Sequence, residues 1–363
     1  MTTEKKTYYH GLDMLRAGLM IIGVFWHAVS VVSPLSHFVY DSQLHESFTL
    51  LAIVYPEHIF RMEAFFLVSG FLALMVRERK GKRLFFHARL RRVLLPLLLG
   101  CFGVNLLLQI FGSQWMGYRW AHFDMWRWVM HGWFLITLFM CACLDMLLPT
   151  RLYRQTGWLG VVLIFTIATF GYTAVLYWNA HSWHFYGPVK GNLFNFLLLN
   201  TVQFYPFYFL GSLLFAHRRL LVKIQPRHLY FIGLITLSAA AVDYLQSLRL
   251  VDFFEVLPRL YGLTYRLLHV LAAAGIAFLL FFAFYHSRYQ SGRIVRYLMN
   301  SAIVIYLLHH PLVIILGWAL DSPRWSTPAY YALLVGTTLL LSYAAYEGIR
   351  RNRYLRIAFG LKT

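Results

Sequence analysis

Runs of mainly apolar residues recur along the chain at 12–32, 50–76, 93–112, 129–148, 157–178, 196–216, 229–246, 267–285, 298–318 and 329–346. Each is close to the about 20 residues that a helix needs to cross the hydrocarbon of a bilayer. In lipid the backbone must satisfy its own hydrogen bonds, so such runs form helices. They are continuously apolar rather than alternating, which excludes a porin-type barrel. The expected fold is all-α: a polytopic membrane protein of about ten transmembrane helices, in one integral-membrane domain over residues 1–363. Only 13% of residues are charged, against about a quarter in a soluble domain. A soluble enzyme, a disordered chain and a secreted disulfide scaffold are excluded. Cys101, Cys141 and Cys143 all lie in apolar runs and form neither a disulfide framework nor a Cys-x-x-Cys motif.

The net charge is +19, from 33 Lys and Arg against 14 Asp and Glu. Basic residues stay on the cytoplasmic side of a membrane. With the N-terminus inside, the inner segments carry 24 Lys and Arg and the outer segments 7, so both termini are expected in the cytoplasm. The first span is too long for a cleaved signal peptide, contains Arg16 and lacks a small-residue cleavage site after it. The outer loops are short and aromatic, with Trp115, Tyr118, Trp120, Trp126 and Trp128 in one of them. They fit an interfacial belt, which is the preferred reading, or a stacking surface for sugars.

Ionisable groups inside spans are costly and mark function by default. In the first span, Arg16 lies about one turn from the cytoplasmic end and His27 in the outer half. Their spacing leaves about 20° after three turns and sets them roughly 16 Å apart along the axis. They share a face and are read as one pathway, although a snorkelling arginine and a bonded histidine would look the same. In the second span Arg61 and Glu63 point about 200° apart, so each needs a partner on another helix. Arg61 is a candidate for orienting a substrate or His27. Glu63 fits an interhelical ion pair. Ser69-Gly70 allows close helix approach, and Ser69 lacks the Gly-x-Ser-x-Gly surroundings of a nucleophile.

Residues 77–92 form the densest basic run and read as an inner loop. It ends in Arg89-x-x-Arg92, two arginines expected on one helix face at the membrane mouth. Guanidinium groups suit phosphate there, and plain positive-inside anchoring or lipid head-group binding explains much of the run. In the ninth span His309 and His310 differ by about 100° in direction, and Pro311 removes a backbone donor. No further ligands cluster near them in the sequence, so no metal site is expected. The chain has no Walker loop, no Gly-x-Gly-x-x-Gly and no nucleic-acid module.

Several motifs run in order along most of the chain. They are Arg16-x10-His27, FFLVSGF at 65–71, Arg89-x-x-Arg92 before Pro96, HGWFL at 131–135 and YLLHHP at 306–311. Together they resemble the acyltransferase 3 family of membrane acyltransferases. Within it, RMEAFFLVSGF at 61–71, FYPFYFLGSLLF at 204–215 and IYLLHHPL at 305–312 are similar to members that succinylate osmoregulated periplasmic glucans. No soluble domain of the SGNH type is fused to this chain, unlike some family members.

The resemblance implies an enzyme of the bacterial inner membrane. Its donor would be acyl-CoA, succinyl-CoA for the glucan members, arriving from the cytoplasm with no permanently bound cofactor. Its acceptor would be a hydroxyl of a periplasmic glucan or another envelope glycan. Arg89 and Arg92 would hold the CoA phosphates and Arg16 would guide the donor inward. His27 would be the general base or a transiently acylated nucleophile. The base is preferred, because one positioned histidine suffices in a ternary complex. Arg61 would pair with a succinyl carboxylate. Glu63, Ser69, His309 and His310 remain pathway candidates. A transporter of a glycan or lipid would use similar intramembrane charges, and differs in consuming no acyl-CoA.

Overall fold

A computed structural model describes residues 9–35, 39–116, 129–181, 193–251, 261–287 and 292–361. Tyr118, Trp120, Trp126 and Trp128 and most of the 179–195 loop lie outside the described residues. Every regular element among the described residues is helical, and the protein is an all-α, multi-pass membrane protein. In chain order the helices are α1 (His10–Ser30), α2 (Phe48–Val54), α3 (Pro56–Arg89), α4 (Leu95–Leu99), α5 (Asn105–Trp115), α6 (Trp133–Leu147), α7 (Thr150–Gln155) and α8 (Trp158–His181). They continue with α9 (Leu193–Ala216), α10 (Arg218–Leu221), α11 (Pro226–Ser247), α12 (Tyr261–His286), α13 (Arg293–Leu320), α14 (Thr327–Arg351) and α15 (Arg353–Ala358).

Among the described residues, eight helical stretches are long and apolar enough to cross a membrane. One of these, Phe48–Trp115, takes in the two runs expected at 50–76 and 93–112. A shorter apolar helix, Trp158–Ala174, stands where the 157–178 run was expected. Outward faces are apolar: Trp158, Leu159 and Leu163 on α8 and Tyr230, Phe231 and Leu237 on α11 are exposed. Exposed apolar surface of this extent in a folded chain is what a lipid-facing wall requires.

The basic run at 77–92 is not a loop. It is helical, and a single residue, Gly81, interrupts it at φ 80° and ψ 163°. That left-handed φ is open to glycine at little cost, so the chain turns without a connecting loop. Before the turn, Arg77 lies against Asp145 and Leu148; after it, the chain climbs until Phe111 packs on Trp318. Two π-helical turns, Leu90–Leu94 and Gly100–Val104, flank α4. Such turns are rare and concentrate at functional sites.

α3 is the central helix, and its closest partner is α9. A Cβ on Gly70 would overlap the Tyr208 carbonyl, and one on Gly211 would overlap the Leu67 carbonyl. The close approach expected at Ser69-Gly70 is therefore present, with glycine on both sides of the contact. Around it pack Phe66, Phe134 and Phe204, with Phe66 stacked on Phe204 at 4.8 Å.

Beneath this contact sits a buried polar clasp. Arg77 Nη1 donates to the Asp145 carboxylate at 2.8 Å and to its carbonyl, and Nη2 donates to the Leu148 carbonyl at 3.0 Å. The Tyr153 hydroxyl and Ser212 Oγ both donate to Asp145 Oδ1, and Ser212 Oγ also lies 3.2 Å from the Gly70 carbonyl oxygen. Burial, and then the neighbouring carboxylate, push the Tyr153 hydroxyl above its ordinary range, so it stays protonated as the donor. The clasp ties α3, α6, α7 and α9 together.

Asp145→Ala removes the carboxylate and leaves Arg77 buried as an unpaired cation, an error that costs about 3–5 kcal/mol. The variant is expected to lose thermal stability and membrane abundance. Arg77→Met with Asp145→Leu should recover much of both, because an apolar pair of similar volume replaces the ions. Thermal unfolding of the three proteins in detergent measures this.

Candidate active site

α1 is one uninterrupted helix, so the spacing of Arg16 and His27 keeps them on one side of it. At the N-terminal end Arg16 forms an ion pair with Asp13 at 3.2 Å. Toward the other end His27 meets a cluster of residues from two further segments. Its ring centroid lies 5.1 Å from that of His309 and 4.9 Å from that of His310. His131, at the entrance to α6, stacks on His310 at 4.7 Å and lies 5.5 Å from His309. Four imidazoles thus share one site between α1, the 3-10 turn Met130–Gly132 and α13. The 100° between His309 and His310 does not separate them, because His27 and His131 stand in the angle between the two rings and touch both.

Hydrogen bonds fix two of these rings. His131 Nε2 lies 2.9 Å from the Tyr306 carbonyl oxygen, and the Tyr306 hydroxyl donates back to the His131 carbonyl. A carbonyl only accepts, so His131 carries its proton on Nε2. Its Nδ1 is buried without a hydrogen-bond partner. His309 Nδ1 donates to the Ile305 carbonyl at 2.9 Å, which leaves Nε2 as its unprotonated nitrogen. No group of histidine, cysteine and carboxylate side chains among the described residues could hold a metal ion. His131 was missed as a site residue in the sequence. It carried only a motif signal, the histidine of HGWFL at 131–135.

Arg61 enters the site from α3. It is 8% exposed, and its Nε has no hydrogen-bond partner. Among the described residues no carboxylate lies within ion-pair distance of it. Its guanidinium rests on Gly23, where a Cβ would overlap Nη1. Gly23 is one turn before His27 on the same face of α1, so glycine makes the room that brings a buried cation beside the histidines. The carboxylates that act on it, Glu57 and Glu63, do so from beyond ion-pair distance; a buried cation without a close counter-ion is expensive, and one next to a histidine cluster is suited to an anionic group.

Glu63 points elsewhere, as the two-residue spacing required, and finds partners on other helices. Gln203 Nε2 donates to Glu63 Oε1 at 3.3 Å, and His269 Nε2 lies 3.9 Å from the same oxygen. His269 Nδ1 is 3.3 Å from the Asp243 carboxylate, so one imidazole bridges two carboxylates between α3, α11 and α12. Ser69 is buried about two turns from Arg61. It belongs to the helix contact and not to the histidine cluster.

At the opposite end, Arg89 is half-buried with its guanidinium 4.8 Å from the Phe85 ring centroid, while Arg92 is exposed. A π-turn begins at Leu90 between the two, and such turns are wider than an α-helix. The pair still forms one electrostatic group, since Arg89 feels the charges of both Arg16 and Arg92.

A histidine cluster beside an unpaired buried arginine, in a membrane-spanning helical bundle with a cationic end, has the parts needed for transfer of a group to a positioned nucleophile. The comparisons define the class: the acyltransferase 3 family, described as an acyltransferase domain, matches residues 9–347. The chain belongs to that family and is a membrane acyltransferase. Among curated relatives it is similar to glucans biosynthesis protein C of Escherichia coli O1:K1 / APEC, at 26% identity over 84% of this chain and 82% of that protein. Glucans biosynthesis protein C of Escherichia coli strain K12 / DH10B is 27% identical over the same shares. No solved structure matches the chain.

Gly23→Ala tests the arrangement. Alanine favours the helix, and the atom in its way is the tip of a flexible side chain. The fold should therefore survive while the guanidinium moves. Acyl transfer is expected to fall about a hundredfold, as small misplacements can cost that much, with the melting temperature little changed.

Proposed function

We propose that the protein transfers a succinyl group from cytoplasmic acyl-CoA to glucose hydroxyls of a periplasmic glucan, in the bacterial inner membrane. The observation that carries this reading is Arg61: a cation buried to 8% exposure with no ion-pair partner among the described residues, set one turn from His27 by Gly23. A donor whose acyl group ends in a carboxylate supplies the missing partner, and a neutral acyl group does not. The membrane acyltransferase family and the glucan relatives support the reaction class and the acceptor. With both termini cytoplasmic, as the basic bias implies, the cationic end faces the donor pool and the histidine cluster lies toward the periplasm.

The CoA phosphates bind at Arg89 and Arg92, and Arg16 guides the donor where its pairing with Asp13 leaves it half open. The pantetheine arm runs along α1, whose 11-residue separation of Arg16 and His27 spans roughly 16 Å. His27 takes the proton of the acceptor hydroxyl as its oxygen attacks the thioester carbonyl. The new C–O bond forms, the C–S bond breaks, and the proton ends on the CoA sulfur. His131 and His309, held through Tyr306 and Ile305, pack against His310 and His27 and limit how the His27 ring can turn. Holding donor, hydroxyl and base together is itself a large part of the rate.

His27→Ala is expected to abolish succinyl transfer at unchanged membrane abundance, with a loss on the order of 10²–10⁴ in rate. Purified protein given labelled succinyl-CoA and glucan reads this directly. Label retained on wild-type protein without glucan would replace the general-base route with a covalent one. Near-normal transfer by well-expressed His27→Ala would overturn the mechanism and favour a transporter.

Arg89→Ala and Arg92→Ala should raise the KM for succinyl-CoA more than they lower kcat. Losing one charge-assisted bond to phosphate costs about 1.5–3 kcal/mol, or roughly ten- to a hundredfold in affinity. Unchanged KM values would reduce both arginines to topology anchors.

A further inference from the structure

The histidine cluster continues into a second group of side chains that the transfer step does not use. Trp26, next to His27 on α1, stacks on His58 at the start of α3, with ring centroids 4.0 Å apart and planes 9° apart. Tyr55 packs near both rings, at 6.0 Å and 5.8 Å. Trp26 is half-buried and His58 is exposed, so the stack leaves an aromatic face uncovered. Between this stack and Arg61 lies Glu57, one turn before Arg61 on α3. Its Oε1 is buried without a hydrogen-bond partner, and its charge acts on Arg61 and on Tyr331. Tyr331 is itself tied to α1 through a hydrogen bond from its hydroxyl to the Phe25 carbonyl at 3.2 Å.

These groups cluster at the ends of α1 and α3 that the charge bias assigns to the outer side. The Trp26–His58 stack, the Glu57 Oε1 atom without a hydrogen-bond partner, and then Arg61 and His27 follow one another along the two helices. A buried acceptor with no donor is a defect that native proteins rarely leave unexplained, and a ligand hydroxyl supplies the donor. An aromatic face beside a hydrogen-bond acceptor also suits a molecule with one apolar face and hydroxyls at its edge.

We infer that this cluster of side chains is the acceptor subsite and that it takes one neutral pyranose unit of a glycan. The C–H face of the sugar lies on the exposed side of the Trp26–His58 stack. One hydroxyl donates to Glu57 Oε1, and the chain direction of α1 brings a neighbouring hydroxyl to His27. The inference rests on the glycan acceptor proposed above and adds the residues that select it. It also accounts for the order of charges along α3: Glu57 meets the hydroxylated acceptor, and Arg61, one turn further in, meets the anionic donor.

The test uses the full-length protein in detergent or lipid nanodiscs, with succinyl-CoA as donor and a linear glucose hexasaccharide as acceptor. His58→Ala and Glu57→Ala should each raise the KM for the hexasaccharide about tenfold, the size expected for one lost stacking or hydrogen-bond contact. The KM for succinyl-CoA should stay within about twofold. His58→Phe keeps the flat ring and should stay within about threefold of the wild-type acceptor KM. Binding of the hexasaccharide without donor, followed by calorimetry, should weaken in the same order. An unchanged acceptor KM in both alanine variants overturns the inference. So does His58→Phe as impaired as His58→Ala, or a parallel rise in the donor KM, which marks a structural role. Weakened hexasaccharide binding by His58→Ala, together with no succinyl transfer by wild-type protein, would leave the subsite in place and remove the proposed reaction instead.

Discussion

Two glycines set the position of everything else. Gly70 of α3 and Gly211 of α9 each face the other helix's backbone, and a side chain on either would push the pair apart. Inside a membrane there is no hydrophobic force between helices, because lipid tails are as apolar as leucine. Close backbone packing and buried polar contacts must hold the bundle together. The glycine contact provides the first, and the clasp of Asp145 with Arg77, Tyr153 and Ser212 provides the second just beneath it. Together they fix α3 as the axis of the protein, and α3 carries Glu57, Arg61 and Glu63.

The same constraint separates structural charges from functional ones. Arg77 is paired with Asp145, and Glu63 faces an imidazole that it shares with Asp243. Each arrangement links helices. Arg61 is different, since Gly23 admits its guanidinium without supplying a counter-charge. Among the described residues no carboxylate lies within ion-pair distance of Arg61, which makes it the proposed place for an anionic group that arrives. The histidines follow a similar division. His131 and His309 each give one nitrogen to a backbone carbonyl, which orients their rings and holds the cluster around His27.

Along α1 these features fall into a sequence of environments. Asp13 and Arg16 mark the end near Arg89, Gly23 and His27 the interior, and Trp26 the approach to the stacked His58. One helix therefore touches the proposed donor mouth, the proposed reacting groups and the proposed acceptor subsite. An uninterrupted helix is stiff over this length, so it holds the three at fixed separations. Such positioning is the contribution a protein can make to a transfer between two substrates arriving from opposite sides.

The class of fold was legible in the amino-acid order, because apolar runs of membrane length leave the backbone no alternative to helix. That order also singled out Arg16, His27, Arg61, Glu63, His309 and His310, because ionisable residues stand out against an apolar background. The separate directions of Arg61 and Glu63 followed from helical angle alone, and the partners found for Glu63 agree with it. Helical angle failed where the helix is not ideal or the partner is another segment. The basic run 77–92 turns at Gly81 rather than forming a loop, and a π-turn begins at Leu90 between Arg89 and Arg92. Only the tertiary structure decided that His131 joins three histidines from two other helices, that Arg77 of the basic run is a buried structural cation, and that Arg61 meets Gly23. The physical reason is common to all three. Spacing along one helix fixes directions within that helix, whereas a site is made where different helices meet, and the meeting points depend on which residues are small enough to let them approach.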